Sequence, residues 1–170
     1  GYQRPVWAVD PMTGQDTAWQ IGLTFLPISG TYSENTSITA LLVDAGRLYF
    51  AGVFRTVDEQ ASLAAVEAAS GLPTSWRPWL FSIPHQVTRL MRVGDAVAAT
   101  TDYWSGRSLH AFDMASAALL DFNPQTYGPI RAIAVAPEGA VVGGAFSGIE
   151  GESRVGLASI DLDTRALDPW

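Results

Sequence analysis

The sequence predicts an all-β fold, a β-propeller of about 3.5 to 4 four-stranded blades that is complete or forms part of a larger or partner-completed ring. Two observations predict it. A twelve-residue phrase occurs four times without gaps, beginning at Ala8, Ala65, Ala111 and Ser159. Short apolar runs also alternate with Gly, Pro and Asp turn signals along the chain, as is typical of strands. Because the last three copies lie 46 and 48 residues apart, each repeat has room for one four-stranded unit.

Each copy of the phrase predicts a strand, a tight turn and a second strand. An acid stands two positions after the first residue, and a Ser or Thr follows three positions later, so their side chains can accept hydrogen bonds from the turn amides. The acids are Asp10, Glu67, Asp113 and Asp161. Gly14 and Gly71 stand where a positive φ is needed. The other two copies have Ala117 and Arg165 there, which predicts turns that differ or are less favourable.

A large aromatic residue closes every copy, eleven positions after its start. These residues are Trp19, Trp76, Phe122 and Trp170. Their regular recurrence predicts that they pack between neighbouring units. A ligand platform built from several of these rings is the alternative interpretation.

The rest of each unit supplies two further strands. The predicted first strands are residues 38–43, 87–92 and 130–135, and the second strands are residues 47–54, 95–103 and 139–146. We therefore predict a single domain over residues 1–170, with a partial blade, an insert loop and three blades. The partial blade is residues 1–21, the insert loop is residues 22–37, and the three blades are residues 38–79, 87–125 and 130–170. The chain starts and stops inside repeats, which suggests a mature product, a fragment or the ordered part of a longer protein.

Two stretches carry a family resemblance. Gly144-Ala145-Phe146 precedes Leu157-Ala158-Ser159-Ile160-Asp161, and Gly52-Val53-Phe54 precedes Leu63-Ala64-Ala65-Val66-Glu67 with Trp76-Arg77-Pro78. This order resembles bacterial propeller repeats of the delta-60 type, and more distantly the repeats of quinoprotein propellers. The resemblance implies a propeller architecture and an extracytoplasmic location, periplasmic or secreted. It implies no particular function, because such propellers host many functions.

Composition excludes several classes of function. The 170 residues carry a net charge of −7, which disfavours binding to the phosphate backbone of nucleic acid. The chain has no Cys, which excludes disulfides and thiolate metal sites and fits an extracytoplasmic location. No stretch approaches the roughly 18 apolar residues of a membrane-spanning helix. We therefore predict no transmembrane segment.

Catalytic motifs are weak. His85 and His110 lack a partner at metal-ligand spacing, so we predict structural roles for both. The acids Asp58, Glu59, Glu150 and Glu152 lie in predicted loops and are interpreted as solvated charge. An enzyme would need a polar pocket at the axis, and the predicted first strands offer mainly Thr39, Thr88, Arg89 and Arg131. We predict no catalytic residues, no metal and no cofactor.

Large apolar residues in predicted loops are better candidates for a functional surface, since aromatic anchors are enriched at protein interfaces. They are Phe25, Leu26, Tyr32, Trp79, Phe81 and Trp104. We predict a non-catalytic protein-binding or scaffolding subunit that docks on a larger extracytoplasmic or membrane-associated assembly. Two alternatives stay open. One is a quinoprotein-like or glycan-acting propeller enzyme, and the other is a carbohydrate-binding module that stacks sugars on Trp79 or Trp104.

Overall fold

The computed structural model describes residues 6–25, 37–56, 61–78, 87–102, 106–122, 124–136, 139–161, 164 and 166–169. The all-β prediction is confirmed, since these residues form 15 strands in small antiparallel sheets and the described part of the chain contains no helix.

One sheet corresponds to each copy of the repeated phrase, and the four sheets define four units. The first unit pairs β1 (Trp7–Val9) with β2 (Asp16–Gln20). The other units place their strands in chain order. The second has β3 (Ser37–Asp44), β4 (Arg47–Arg55) and β5 (Ala61–Glu67). The third has β6 (Val87–Val93), β7 (Ala96–Thr101) and β9 (Leu109–Asp113). The fourth has β11 (Ile130–Ala136), β12 (Gly139–Gly144) and β15 (Leu157–Ile160).

The predicted fourth strand is shorter than expected in the last three units. It pairs with the third strand through one bridge in each unit: Val66 with Pro73, Phe112 with Leu119, and Ile160 with Leu167. In the second unit proline occupies the bridge position, and proline has no N–H for a ladder. The segment still returns along the third strand, because the N–H of Thr74 donates to the carbonyl oxygen of Ala65 at 3.3 Å. These units are therefore three-stranded sheets with a closing segment.

A further small sheet lies outside the predicted strands. It joins β14 (Glu152–Ser153), β13 (Gly148–Ile149), β10 (Gln125–Thr126) and β8 (Gly106–Arg107) in that order. β13 lies in the loop between β12 and β15 of the fourth unit. It pairs with β10, which lies in the connection from the third unit to the fourth. In the second unit the bridge between Phe25 and Thr56 occupies the corresponding place.

Both faces of the middle sheets are buried, one against each neighbour. On β4, Tyr49 and Ala51 pack toward the third unit, whereas Leu48 and Phe50 pack toward the first. A third cluster fills the space between the third and fourth units. The first strands β3, β6 and β11 lie side by side in sequence. The units are therefore stacked face to face with their first strands on one side, and alternation is only partial because neighbouring units cover most of both faces.

The turns of the repeated phrase share one geometry. The N–H of Gly14, Gly71 and Ala117 each donates to the carbonyl of the residue four positions earlier, at 2.7, 2.8 and 2.9 Å. Asp10 and Asp113 also accept turn amides on their carboxylates, as predicted. Ala117 adopts φ +62°, close to the +69° of Gly14. Of the two predicted alternatives for the third copy, the turn does not differ; it has the same geometry with an alanine at positive φ, which is less favourable than glycine there. Arg165 lies outside the described residues.

Candidate binding surface

An open groove lies between β1 of the first unit and β3 of the second. Its volume is about 420 Å³. Among the lining residues that the structure describes, five are apolar and the sixth is a threonine. They are Val6, Trp7, Ile38, Thr39, Ala40 and Leu41.

The groove is open because the first sheet is narrower than the others. In the later units the third strand pairs with the second strand, as β5 does with β4. In the described part of the first unit, the equivalent strand β1 pairs with β2 alone. On its faces, β1 has the exposed side chains Trp7 and Val9, with 63% and 50% of their surfaces accessible. One edge of β1 thus borders the groove without a described strand beside it.

The floor of the groove connects the second unit to the third. The hydroxyl of Thr39 on β3 lies within hydrogen-bond reach of the carbonyl oxygens of Ala51, at 3.2 Å, and Val87 on β6. This contact joins β3 to β6 of the third unit. Leu41, two residues further on, pairs with Phe50 on the side of the first unit and has 54% of its surface exposed. A partner in the groove would meet a preformed apolar wall.

The other predicted axial residues do not share this groove. Thr88 on β6 pairs its hydroxyl with that of Thr100 on β7 at 3.0 Å. Arg89 on β6 and Arg131 on β11 are exposed. Of the four residues, only Thr39 lines the groove.

Phe25 is the only predicted partner-contact residue within the described ranges. Its ring is half-buried and makes edge-on contacts with Phe50 and Phe54, at centroid distances of 6.3 and 5.7 Å. It therefore packs against the core between the first and second units. The other predicted contacts lie outside the described residues: Leu26, Tyr32, Trp79, Phe81 and Trp104.

Sequence reasoning missed Trp7, Val9 and Leu41. A signal for Trp7 and Val9 did exist, because they occupy the same positions relative to the start of the phrase as Ala64 and Val66, which are fully buried. A comparison of the four copies that identifies the neighbour covering each position predicts that β1 is uncovered.

The polar candidates have local structural partners. His110 is buried in β9, and His85 lies outside the described residues. The carboxylate of Glu150 accepts the N–H of Gln125 at 2.5 Å, and that of Glu152 lies 3.6 Å from Arg154. Asp58 and Glu59 lie outside the described residues. Within the described ranges, no three His, Cys, Asp or Glu residues are grouped as metal ligands.

Hydrogen bonds within its own turn lower the pKa of the Asp113 carboxylate. The hydroxyl of Ser116 donates to Asp113 at 2.6 Å, and the N–H of Ser116 donates at the same distance. These bonds, with a further one from the N–H of Ala115, favour the ionised form and hold the pKa of Asp113 below its ordinary value. Asp113 lies on the turn where the second and third units meet, so its charge state bears on stability.

Comparisons with known proteins give a fold likeness. No protein-family model matches the chain, and no curated protein does. The crystal structure of the computationally designed Ika8 protein superposes with a TM-score of 0.59 at 16% sequence identity. The alignment covers 98% of this chain and 42% of the Ika8 chain, so this chain spans less than half the length of that protein. The designed Ika4 protein gives a TM-score of 0.48 at 15% identity, covering 84% of this chain and 94% of that one. No helix in the described ranges has the length and apolarity needed to cross a bilayer.

Proposed function

We propose that the protein is a non-catalytic binding or scaffolding module with propeller-type architecture, which docks on another protein through the open side of its first unit. The groove beside β1 is the observation that carries this proposal. It combines an unpaired strand edge among the described residues with exposed apolar side chains.

These two features together favour a protein partner. An open strand edge offers a row of N–H and C=O groups that an added strand can pair with. The exposed Trp7 and Leu41 supply apolar area beside that edge, and aromatic residues are preferred anchors of protein interfaces. A sugar or a quinone would need convergent polar groups to fix its orientation, whereas Thr39 is the one polar residue among the described residues of this lining.

The propeller interpretation is supported by the stacking of the units. Each middle sheet buries both faces against its neighbours, and the first strands run side by side. Radially arranged sheets have this relationship around a central axis. The extracytoplasmic or membrane-associated setting rests on the resemblance to delta-60 type repeats and on the absence of Cys.

Site-specific photo-crosslinking tests the proposal. Leu41 is replaced by p-benzoylphenylalanine in the tagged protein, which is irradiated in an extract of its native source. We expect a protein adduct, identified by mass spectrometry. The same replacement at Met12, which is 90% exposed on the first turn, serves as the control. No adduct at position 41 above the level seen at position 12 would overturn the proposal.

A further inference from the structure

We propose that Arg89 and Arg131 form a binding site for a phosphate- or sulfate-type dianion where the third and fourth units meet. The site is separate from the groove beside β1, because Thr39 is the one predicted axial residue in the lining of that groove. It does not depend on the proposed protein partner.

Each of the first strands β3, β6 and β11 has a β-bulge at the same repeat position. The pairing with the second strand shifts by one residue at Thr39 in β3, at Thr88 in β6 and at Arg131 in β11. A bulge leaves one residue outside the ladder and redirects its side chain. The residues of β12 across the β11 bulge are Gly143 and Gly144, so no side chain from these two positions covers Arg131.

Neighbouring first strands meet at the level of these bulges. The hydroxyl of Thr39 in β3 donates to the carbonyl oxygen of Val87, which directly precedes the bulge of β6. β6 and β11 also lie side by side, with their bulges at equivalent positions. Arg89 directly follows the bulge of β6 and Arg131 occupies that of β11. The two arginines therefore extend from adjacent strands at one level.

Neither of these guanidinium groups is neutralised within the described part of the chain. Both side chains are exposed, and the ion pairs between described residues involve Arg92 and Arg154 instead. Arg92 also lies on β6, and its guanidinium is 3.1 Å from the carboxylate of Asp44 and 3.8 Å from that of Asp95. One arginine of β6 is thus paired with carboxylates near the turns. The other is left beside a like charge that repels it, and a bound dianion would offset this repulsion.

The chemistry of the guanidinium group favours an oxyanion. Each group presents N–H donors in a planar fork that can bind two oxygens of one phosphate or sulfate. Two forks carry two positive charges, which match a dianion better than a single carboxylate. The hydroxyl of Thr88 is within 3.0 Å of that of Thr100, so the two arginines are the main donors. The net charge of −7 repels anions at a distance, so affinity has to come from these short-range bonds.

Titration with inorganic phosphate tests the site, at a pH above neutrality where phosphate is mainly a dianion. Binding is followed by isothermal titration calorimetry and by the melting temperature. Chloride is exchanged for phosphate at constant ionic strength, since salt alone screens exposed charges. We expect a melting temperature that rises with phosphate and then saturates with the measured affinity. Arg89→Gln and Arg131→Gln should each weaken binding by about tenfold or more, because hydrogen bonds to a charged ligand are lost.

Arg55→Gln is the matched control. Arg55 is an exposed arginine at the end of β4, and its replacement changes the net charge by the same amount. This variant should bind phosphate as the wild type does. In chloride alone, Arg89→Gln and Arg131→Gln should melt at or above the wild-type temperature, because each removes a like-charged neighbour.

A variant with both glutamine substitutions separates site binding from a general effect of phosphate. Phosphate also stabilises proteins because it is excluded from their surfaces, and that effect should persist in the double variant without saturating. A glycerol phosphate ester carries the same dianion on a larger molecule. Tighter binding of the ester than of inorganic phosphate would identify the ligand as a phosphorylated molecule, and tighter binding of inorganic phosphate would identify it as the free ion.

Three results would overturn the anion site. They are no saturable response of the wild type to phosphate, unchanged affinity in Arg89→Gln and Arg131→Gln, and an equal loss of affinity in Arg55→Gln. None of these results bears on crosslinking at position 41. Conversely, the absence of an adduct at position 41 would remove the proposed protein partner and leave the anion site in place.

Discussion

The indole N–H of Trp76 donates a hydrogen bond of 2.9 Å to the backbone carbonyl of Asp113. This bond joins the closing residue of the second unit to the turn of the third. The indole of Trp19 does the same one unit earlier, donating to the carbonyl of Ala68 at 2.9 Å. The prediction that the closing aromatics pack between units is confirmed for these two residues.

Replacing Trp76 should therefore weaken the contact between units. Its ring is buried and packs edge-on against Tyr49, with centroids 4.9 Å apart. We expect Trp76→Phe to lower the free energy of unfolding by about 1–3 kcal/mol, because the carbonyl of Asp113 loses its donor. Trp76→Ala should cost about 3–5 kcal/mol, since it also leaves a cavity. Urea unfolding followed by circular dichroism measures both.

Trp19→Phe is the matched control for the hydrogen bond. Trp19 is only half-buried, so water can replace its N–H and the loss should be smaller than for Trp76→Phe. Equal stability of Trp76→Phe and the wild type would show that packing alone holds this interface.

Substitution of two glycines in equivalent turns allows the stability cost of backbone strain to be measured separately from that of close packing. Gly71 and Gly14 have φ values of +72° and +69°. A Cβ on Gly71 would lie 2.0 Å from the carbonyl oxygen of Gln20 in the first unit, whereas one on Gly14 meets nothing within 4 Å. We expect Gly14→Ala to cost about 1 kcal/mol of stability, the strain of an L-residue at positive φ. Gly71→Ala should cost about 1–3 kcal/mol more, because the first unit must move away.

Chemical denaturation of both variants under one set of conditions measures the difference. Gly71 also accepts the N–H of Gly22 on its carbonyl at 2.7 Å, so a shift of the first unit should appear as a changed near-UV signal from Trp19. Equal losses for the two alanine variants would contradict a tight approach of the first unit to Gly71.

Local sequence determines the turns, and for this reason they could be predicted. An acid and a Ser or Thr at fixed spacing specify the hydrogen bonds of Asp113 and Ser116 without help from the rest of the fold. Ala117 shows the limit of such reasoning. Its side chain is buried between the second and third units, so tertiary packing holds an alanine in a conformation that glycine prefers.

The small sheet and the groove depend on distant parts of the chain. β10 and β13 have two residues each, too few for a periodic signal, and they pair only because neighbouring units bring them together. The exposure of Trp7 likewise depends on what lies beside its strand rather than on its own sequence. The same strand position is buried at Ala64 and exposed at Trp7.

The charge of Asp113 should make stability depend on pH. Its folded pKa is below the ordinary value, first because of the Ser116 hydroxyl. The stabilising contribution is therefore complete above the ordinary carboxyl pKa and is lost as the pH falls through the lowered folded value. Ser116→Ala should reduce the loss of stability on acidification, as measured by urea midpoints from neutral to acid pH. In an Asp113→Asn background, Ser116→Ala should have no further effect on the pH dependence of stability. An additional effect in that background would show that another titratable group causes the pH dependence.

Phe25 was predicted to contact a partner, and its packing allows a direct test. Because its ring contacts Phe50 and Phe54, Phe25→Ala should lower the free energy of unfolding by about 1–3 kcal/mol, less than the loss for a fully buried ring. Tyr127→Ala removes an exposed aromatic residue and should change stability by no more than about 0.5 kcal/mol. Urea unfolding of both variants, with the crosslinking yield at position 41 measured in parallel, distinguishes the two roles of Phe25. Wild-type stability combined with loss of the adduct would assign Phe25 to the partner contact, whereas reduced stability with an intact adduct would assign it to the core between the first two units.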